Sequence, residues 1–435
     1  MSWIAICWLF PLGGSLLYWL FGINRVRSRH KTRFDSAVQV ISATPTAKSM
    51  LLFNHLAQIG NALTQWQPAT GNSVEPLYNG EIAFPRMLKA ISTAKHSICL
   101  STYIFQTDPV GMEFVNALIA AARRGVTVKV LVDGIGEWYN WPHVTPLLQQ
   151  AGINATRFLP PRLFPPTVAL NCRNHRKMLL IDNVQAFVGG MNLGGREVAG
   201  TQGRRLTDIH FCIHGPVIEQ FYLAFANDWR LTSAWQLATD KKLPGLAASA
   251  NSGSAICRAV TCGPDEETDK LLLLILGAIS VAQQQVLIMT PYFIPPPELV
   301  TALQTAALRG VDVSLVLPLR SNLRFVDWAT LHWLPALVAR GVKISLQQPP
   351  FSHAKLFVVD QQYAQIGSAN FDTRSLRLNF EIVVEVFDSA LCSELARYIM
   401  QAQRLAPVLT QDSLERPAPL QRLRNSLCWL ISPYL

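Results

Sequence analysis

The chain has 435 residues, 50% of them hydrophobic and only 15% charged, with 38 Lys and Arg against 28 Asp and Glu and a formal net charge of +10. Soluble chains carry about 25% charged residues on average, so the composition excludes a disordered protein and points away from a purely cytosolic enzyme toward one that touches a membrane. The excess charge sits at the ends: Arg25, Arg27, Arg29, Lys31 and Arg33 give +5 over residues 1–33, and residues 404–435 give +2, leaving +3 on the body between. Nucleic acid would require a basic stripe on that body, and none is indicated.

Trp3 to Gly22 carries no charge. Twenty residues at a rise of about 1.5 Å span about 30 Å, one hydrocarbon thickness, and Trp3, Tyr18 and Trp19 suit its interfacial ends. The basic cluster follows the apolar run rather than preceding it, so an uncleaved anchor over 1–24 is expected in place of a secretory signal. Pro11, Gly13 and Gly14 lie mid-span and leave a kinked, re-entrant insertion open. By the positive-inside rule the cluster at 25–33 and the body after it face the cytoplasm. Residues 25–75 read as a basic juxtamembrane segment of helix and loop.

The body then repeats itself. Ala90-Ile91-Ser92-Thr93-Ala94, Ile98-Cys99-Leu100 and Tyr103-Ile104-Phe105 are echoed by Ala278-Ile279-Ser280-Val281-Ala282, Val286-Leu287-Ile288 and Tyr292-Phe293-Ile294. Each set predicts a helix, then a buried strand. Helices ending on Gly125 and Gly310 as C-caps follow, each leading into an apolar strand. Continuous apolar strands alternating with helices predict an α/β fold of two pseudo-symmetric α/β/α sandwich halves, over 76–235 and 257–435, the latter with a tail. The Pro-, Gly- and Ser-rich stretch 236–256 is the expected linker. The eight cysteines form no CxxC pair. They predict no zinc site and read as reduced core residues facing the cytoplasm.

The repeat carries its rarest residues to equivalent places. His175, Lys177, Asp182, Gly189 and Asn192 match His353, Lys355, Asp360, Gly367 and Asn370, both spelling HxKx₄Dx₆GxxN. One such match has a chance of roughly 10⁻⁷ at a given start from average residue usage, so two in register within a repeat are not coincidence. Histidine and lysine at i and i+2 of an extended segment share a face. Two halves about a pseudo-twofold would bring the histidines face to face. Two lysines and two asparagines around them would make a donor-rich pocket for a phosphate. One histidine can attack phosphorus while the other protonates the leaving oxygen, chemistry that calls for no metal and no cofactor. Asp182 and Asp360 join the candidate catalytic set, although strand-ending turns or ion pairing are the favoured readings for them.

On Arg173-Asn174-His175-Arg176-Lys177, Gly189-Gly190-Met191-Asn192, His353-Ala354-Lys355, Gly367-Ser368-Ala369-Asn370 and the run from Asn370 through Arg374 to Glu381, the chain resembles the phospholipase D superfamily. Within it, the chain is similar to the bacterial cardiolipin synthases that carry two HKD motifs. The resemblance covers nearly the whole chain. It implies a phosphatidyltransferase working through a phosphatidyl-histidine, with phosphatidylglycerol as the expected lipid partner, in a bacterial inner membrane. It also implies that a downstream carboxylate orients each imidazole, at positions matched here by Asp208 and Glu381. His175 is the favoured nucleophile and His353 the acid/base, with Asn192 and Asn370 binding substrate. Many such synthases carry two amino-terminal spans, and this chain has room for one. A hydrolytic phospholipase D or a synthase using phosphatidylethanolamine is the alternative activity; a nuclease and a non-catalytic membrane scaffold fit less well. Two proline-rich loops, 158–166 and 292–297, and the tail 427–431 are the candidates for meeting the bilayer.

Overall fold

The computed structural model describes residues 7–8, 10–18, 47–64, 66–161, 172–198, 206–232, 252–264, 268–412, 414 and 419–430. The first half contributes β1 (Ala69–Tyr78), β2 (Ser97–Thr102), β3 (Thr127–Asp133), β4 (Asn154–Phe158), β5 (Met178–Ile181), β6 (Gln185–Gly189), β7 (Leu206–Thr207) and β8 (Ile209–His214). The second contributes β9 (Ala255–Cys262), β10 (Gln285–Met289), β11 (Phe293–Ile294), β12 (Asp312–Pro318), β13 (Lys343–Gln347), β14 (Phe351–Ser352), β15 (Leu356–Val359), β16 (Tyr363–Gly367), β17 (Phe371–Asp372) and β18 (Glu381–Phe387).

Fourteen of these strands form one continuous sheet in the order β13-β12-β10-β15-β16-β18-β9-β1-β8-β6-β5-β2-β3-β4. Read outward from the antiparallel β9/β1 seam, the two sides carry matching strands in matching order, as the repeat predicts. The expected pair of sandwiches is thus fused edge to edge, which removes one exposed edge from each half. Buried Asn72 ties the seam: its Nδ2 donates to Ala69 O (2.6 Å) and Ala255 O (3.2 Å), and its Oδ1 accepts from Val217 N.

Helices cover both faces. Ile218–Thr232 and Ser389–Arg404 bury Phe221, Phe225, Trp229, Leu395 and Ile399 in one apolar cluster that draws on strands of both halves. On the other face each half keeps its own cluster, under Gly80–Thr93 and Pro109–Arg123 in the first and under Lys270–Val281 and Pro297–Leu308 in the second. The helix Pro109–Arg123 starts on Asp108, whose side chain accepts from Gly111 N, with Pro109 in its first turn. It stops at Gly125, where φ is +89°, a backbone only glycine adopts cheaply. The helix before Gly310 (φ +88°) stops in the same way.

Two segments differ from expectation, and a third lies mostly outside the described residues. β1 begins at Ala69, inside the segment assigned to the membrane approach, because its first residues pair with β9 and Ser73 to Tyr78 pair with β8. The loop 292–297 does not reach outward: Phe293, Ile294, Pro295 and Pro296 are buried, and β11 pairs with β17. Of the anchor 1–24, only residues 7–8 and 10–18 are described, with a helix at Pro11–Leu17, and no described helix is long and apolar enough to cross a membrane. Most of the 236–256 linker and of the 158–166 loop lies outside the described residues.

The helix Ala47–Leu63 docks onto the second half through a charge. Arg258 of β9 is fully buried; its Nε donates to Glu385 Oε2 (2.6 Å), and its Nη atoms donate to the carbonyls of Leu56 and Ala57 and to Asn61 Oδ1. Glu385 also accepts from Tyr363 Oη (2.7 Å). Arg258→Ala would strand a buried carboxylate and three helix acceptors. The expected loss is about 3–5 kcal/mol of stability, read as a lowered thermal unfolding midpoint in detergent with the helix 47–63 detached to protease.

Candidate active site

The two HxK segments are extended lead-ins just ahead of β5 and β15, rather than parts of those strands. Each is held by the opposite half. His175 N donates to Phe380 O (2.9 Å), and Phe380 N donates to Arg173 O (2.9 Å). In the other direction, β14 pairs with β7, and His353 N donates to Thr207 O (2.7 Å). Phe380 and Thr207 immediately precede Glu381 and Asp208, so this exchange delivers each carboxylate to the histidine of the other half. His175 Nδ1 lies 3.0 Å from Glu381 Oε1, and His353 Nδ1 lies 2.9 Å from Asp208 Oδ2. Arg176 strengthens the crossing: Nη1 pairs with Asp228 (2.6 Å), Nη2 donates to Cys262 O and Nε donates to Glu381 O.

A carboxylate beside Nδ1 favours the proton on that nitrogen and leaves the Nε2 lone pair available; His353 Nδ1 also lies 2.9 Å from Lys355 Nζ. Burial lowers the pKa of His175 to about 4, with Lys177 adding to it and Glu381 opposing. Burial lowers His353 to about 4 as well, with Lys355 adding and Asp208 opposing. Both rings are therefore neutral at pH 7. Burial works against charge on Glu381, but His175, Lys177 and the Ser368 hydroxyl outweigh it and hold the carboxylate below its usual range. Ser368 Oγ donates to Glu381 Oε2 (2.6 Å) and Asn379 Nδ2 donates to Oε1 (3.3 Å).

Both histidines line a single cavity of about 310 Å³, together with Asn192, Asn370, Tyr103, Tyr292, Arg173, Arg196, Glu197 and Arg374. Tyr103 stands edge-on to His175 and Tyr292 edge-on to His353, at matching places in the repeat. The lysines sit behind the histidines rather than on the cavity wall. They are 1% and 5% exposed, and their Nζ atoms donate to the carbonyls of His175 (2.9 Å) and His353 (2.5 Å). Burial lowers Lys177 to about 7 and Lys355 to about 8. Of the asparagines, Asn192 Oδ1 accepts from Ile104 N (3.2 Å), while buried Asn370 Oδ1 has no partner among the described residues.

Asp182 and Asp360 are not brought to the cavity. Each ends a strand at positive φ. Asp182 accepts from the main-chain N of Lys95, His96 and Ser97, and Asp360 from those of Gln283, Gln284 and Gln285. They cap turns and fix the strand that follows the HxK segment, which is the favoured structural reading.

Arg196, Glu197 and Arg374 are charged wall residues outside the candidate site set read from the sequence. Arg196 and Arg374 each stand four residues after the motif asparagine, so extending the repeat to HxKx₄Dx₆GxxNx₃R would have found them. Glu197 has no counterpart: Ser375 holds the matching place. Its Oε1 accepts from Asn192 N (3.2 Å), and its buried Oε2 has no partner among the described residues. Burial, then the charge of Asp208, raise its pKa to about 8, so it carries a proton at neutral pH. Among the described residues no group of three or more His, Cys, Asp or Glu is arranged to hold a metal ion.

The chain is similar to known proteins over most of its length. The profile of the family described as cardiolipin synthase, PLD-like domain, matches residues 87–229 and 275–402. The chain is 31% identical to a cardiolipin synthase of Geobacillus kaustophilus, over all of this chain and 88% of that one. It is 32% identical to the major cardiolipin synthase of Bacillus subtilis, over all of this chain and 93% of that one. The fold is similar to that of a phosphatidylserine synthase from Haemophilus influenzae, with a TM-score of 0.66 over 89% of this chain and 100% of that one; at 16% identity the likeness is one of fold.

The crossed pairs predict that Glu381→Gln and Asp208→Asn each lower kcat by about 10²–10⁴-fold, the usual scale of general acid–base assistance, with the fold intact by circular dichroism. In the wild type, kcat/KM should decline as pH falls toward about 4, where His175 protonates and loses its Nε2 lone pair. It should decline again as pH rises through about 7 to 8, where the lysines lose their charge.

Proposed function

This chain belongs to the cardiolipin synthases built on a phospholipase D-like domain, and from that premise we propose how its residues join two phosphatidylglycerol molecules into cardiolipin and glycerol. The observation that carries the reading is the pair of crossed histidine–carboxylate couples opening on one cavity. A phosphodiester between two imidazoles can be attacked from one side and relieved of its leaving group on the other.

His175 is the nucleophile. Its Nδ1 is held by a carboxylate that accepts two further hydrogen bonds, from Ser368 and Asn379, so its Nε2 lone pair is well aimed. Nε2 forms a bond to phosphorus as the phosphorus–glycerol bond breaks, and the glycerol oxygen takes a proton from His353 Nε2. The anionic phosphate favours the protonated form of His353 on binding, and Glu197 beside the Asp208 side holds a proton at neutral pH. In the second step His353 removes the proton from the hydroxyl of the second phosphatidylglycerol. That oxygen bonds to phosphorus and His175 leaves. The two steps return both histidines to their starting state. Asn192, Asn370, Arg196 and Arg374 on the wall, with Lys177 and Lys355 behind the rings, supply donors and positive charge for the phosphate oxygens as charge builds in the transition state.

The lipid substrates, the apolar stretch 3–22 as an anchor and the basic cluster 25–33 on the cytoplasmic side support a bacterial cytoplasmic membrane as the protein's location. A site facing lipid is also poor in water, which competes with the lipid hydroxyl for the phosphatidyl-histidine.

The test is purified protein with labelled phosphatidylglycerol in vesicles. Cardiolipin and glycerol are the expected products; phosphatidic acid would make the protein a hydrolase, and no turnover would refute the reading. His175→Ala and His353→Ala should each abolish synthesis, with acid-labile covalent labelling of the protein lost in His175→Ala. Activity should persist in EDTA.

A further inference from the structure

The helix Pro419–Leu430 lies on Arg324–Thr330 with an unusual orientation. Its inward side carries Asn425 and Cys428, both buried, with Cys428 packed beside Val326, Ala329 and Ile294. The Arg424 guanidinium stacks over Trp328 (4.5 Å), and Trp429 stacks on His332 (4.7 Å). The outward side carries Leu420, Leu423, Leu427 and Leu430, which are 81%, 57%, 53% and 55% exposed. At 3.6 residues per turn these four fall within an arc of about 80°, roughly opposite Asn425 and Cys428. A helix of a soluble domain turns such a stripe inward. Here the stripe is turned out and continues onto exposed Phe325 and Leu323 of the neighbouring segment.

We infer that this leucine face is the seat of the protein on an anionic bilayer, and that it sets the mouth of the cavity against the lipid surface. The inference rests on the phosphatidyltransferase reading above for the nature of the lipid. Three observations commit it to that occupant. The first is charge: Arg320, Arg324 and Arg422 are exposed around the stripe, and Asp327, the nearby acid, is engaged by Ser321 N (3.0 Å). Apolar residues rimmed by arginine suit anionic headgroups, whereas a second copy would set two positive rims against each other. The second is continuity with the site: Leu323 and Val326 are cavity wall, and on the other half so is Tyr139, flanked by exposed Trp138 and Trp141. Tryptophan and tyrosine favour the membrane–water boundary. The third is size. Ordinary small-molecule pockets run from about 300 to 1,000 Å³, so a cavity of about 310 Å³ takes the headgroup and phosphate and leaves long acyl chains outside. Those chains stay in the bilayer only if the mouth rests on it.

The anchor region could hold the chain on vesicles unaided, so co-flotation does not decide the matter; turnover and protection do. The full-length protein is assayed on long-chain phosphatidylglycerol in phosphatidylcholine vesicles and on dihexanoyl phosphatidylglycerol dispersed as monomers. Leu423→Glu/Leu427→Glu, outside the cavity wall, should lower vesicle turnover at least about tenfold through lost interfacial binding and leave turnover of the dispersed lipid within about twofold. Leu308→Glu, an exposed leucine on another helix, should lower neither. Unchanged vesicle turnover in the double variant overturns the inference. If the double variant fails on both lipids, hydrogen exchange of the wild type decides. Protection of 419–430 on adding the vesicles, at unchanged protein mass, supports the bilayer. Absence of protection overturns it, as does a doubled mass that the double variant abolishes. Failure of the wild type to turn over the dispersed lipid would instead count against the phosphatidyltransferase reading, and leaves the exchange result standing on its own.

Discussion

Glu381 of the second half holds His175 of the first, and Asp208 of the first half holds His353 of the second. Much of the remaining architecture follows from that exchange. It requires the two halves to meet with their HxK segments in reach of each other's carboxylates, which the β1/β9 seam and the single fourteen-stranded sheet enforce. It requires the crossing strands to be pinned in register, which main-chain bonds at His175, Phe380 and His353 and the buried Arg176 accomplish. Neither half alone contains a complete histidine–carboxylate couple, so duplication here produced one site and not two.

The same exchange sets the protonation state. Burying two imidazoles beside two ammonium groups holds both rings neutral, and the carboxylates decide which nitrogen keeps its proton. Symmetry is broken locally. Ser368 and Asn379 bind Glu381, whereas Gly190, where a side chain would run into Asp208, occupies the place matching Ser368. Glu197 faces the cavity from the first half with Ser375 as its counterpart. The two halves thus surround their histidines differently: Glu381 is held below its usual range, while burial and Asp208 push Glu197 up.

The lysines show how the surroundings redirect a motif. Spacing put histidine and lysine on one face, and they do lie together. Yet each ammonium bends back to the carbonyl of its own histidine and sits behind the ring. Its charge lies beneath the rings, while Arg196 and Arg374 reach the wall. The motif aspartates likewise serve the scaffold, by capping turns that fix the strands after the HxK segments.

The duplicated HxKx₄Dx₆GxxN pattern, the alternation of buried strands with helices ended on Gly125 and Gly310, and the charge-poor composition were all legible in the chain itself. Each is a matter of residue type and of spacing over a few turns or strands, where geometry is nearly local. The tertiary structure alone decided that the carboxylates cross between halves, over 206 residues for His175 and 145 for His353. It also decided that Glu197 enters the wall, that loop 292–297 is buried, and that four leucines of the last described helix face outward. These depend on which surfaces meet once the sheet closes at its seam, and residue spacing carries no information about contacts made through space.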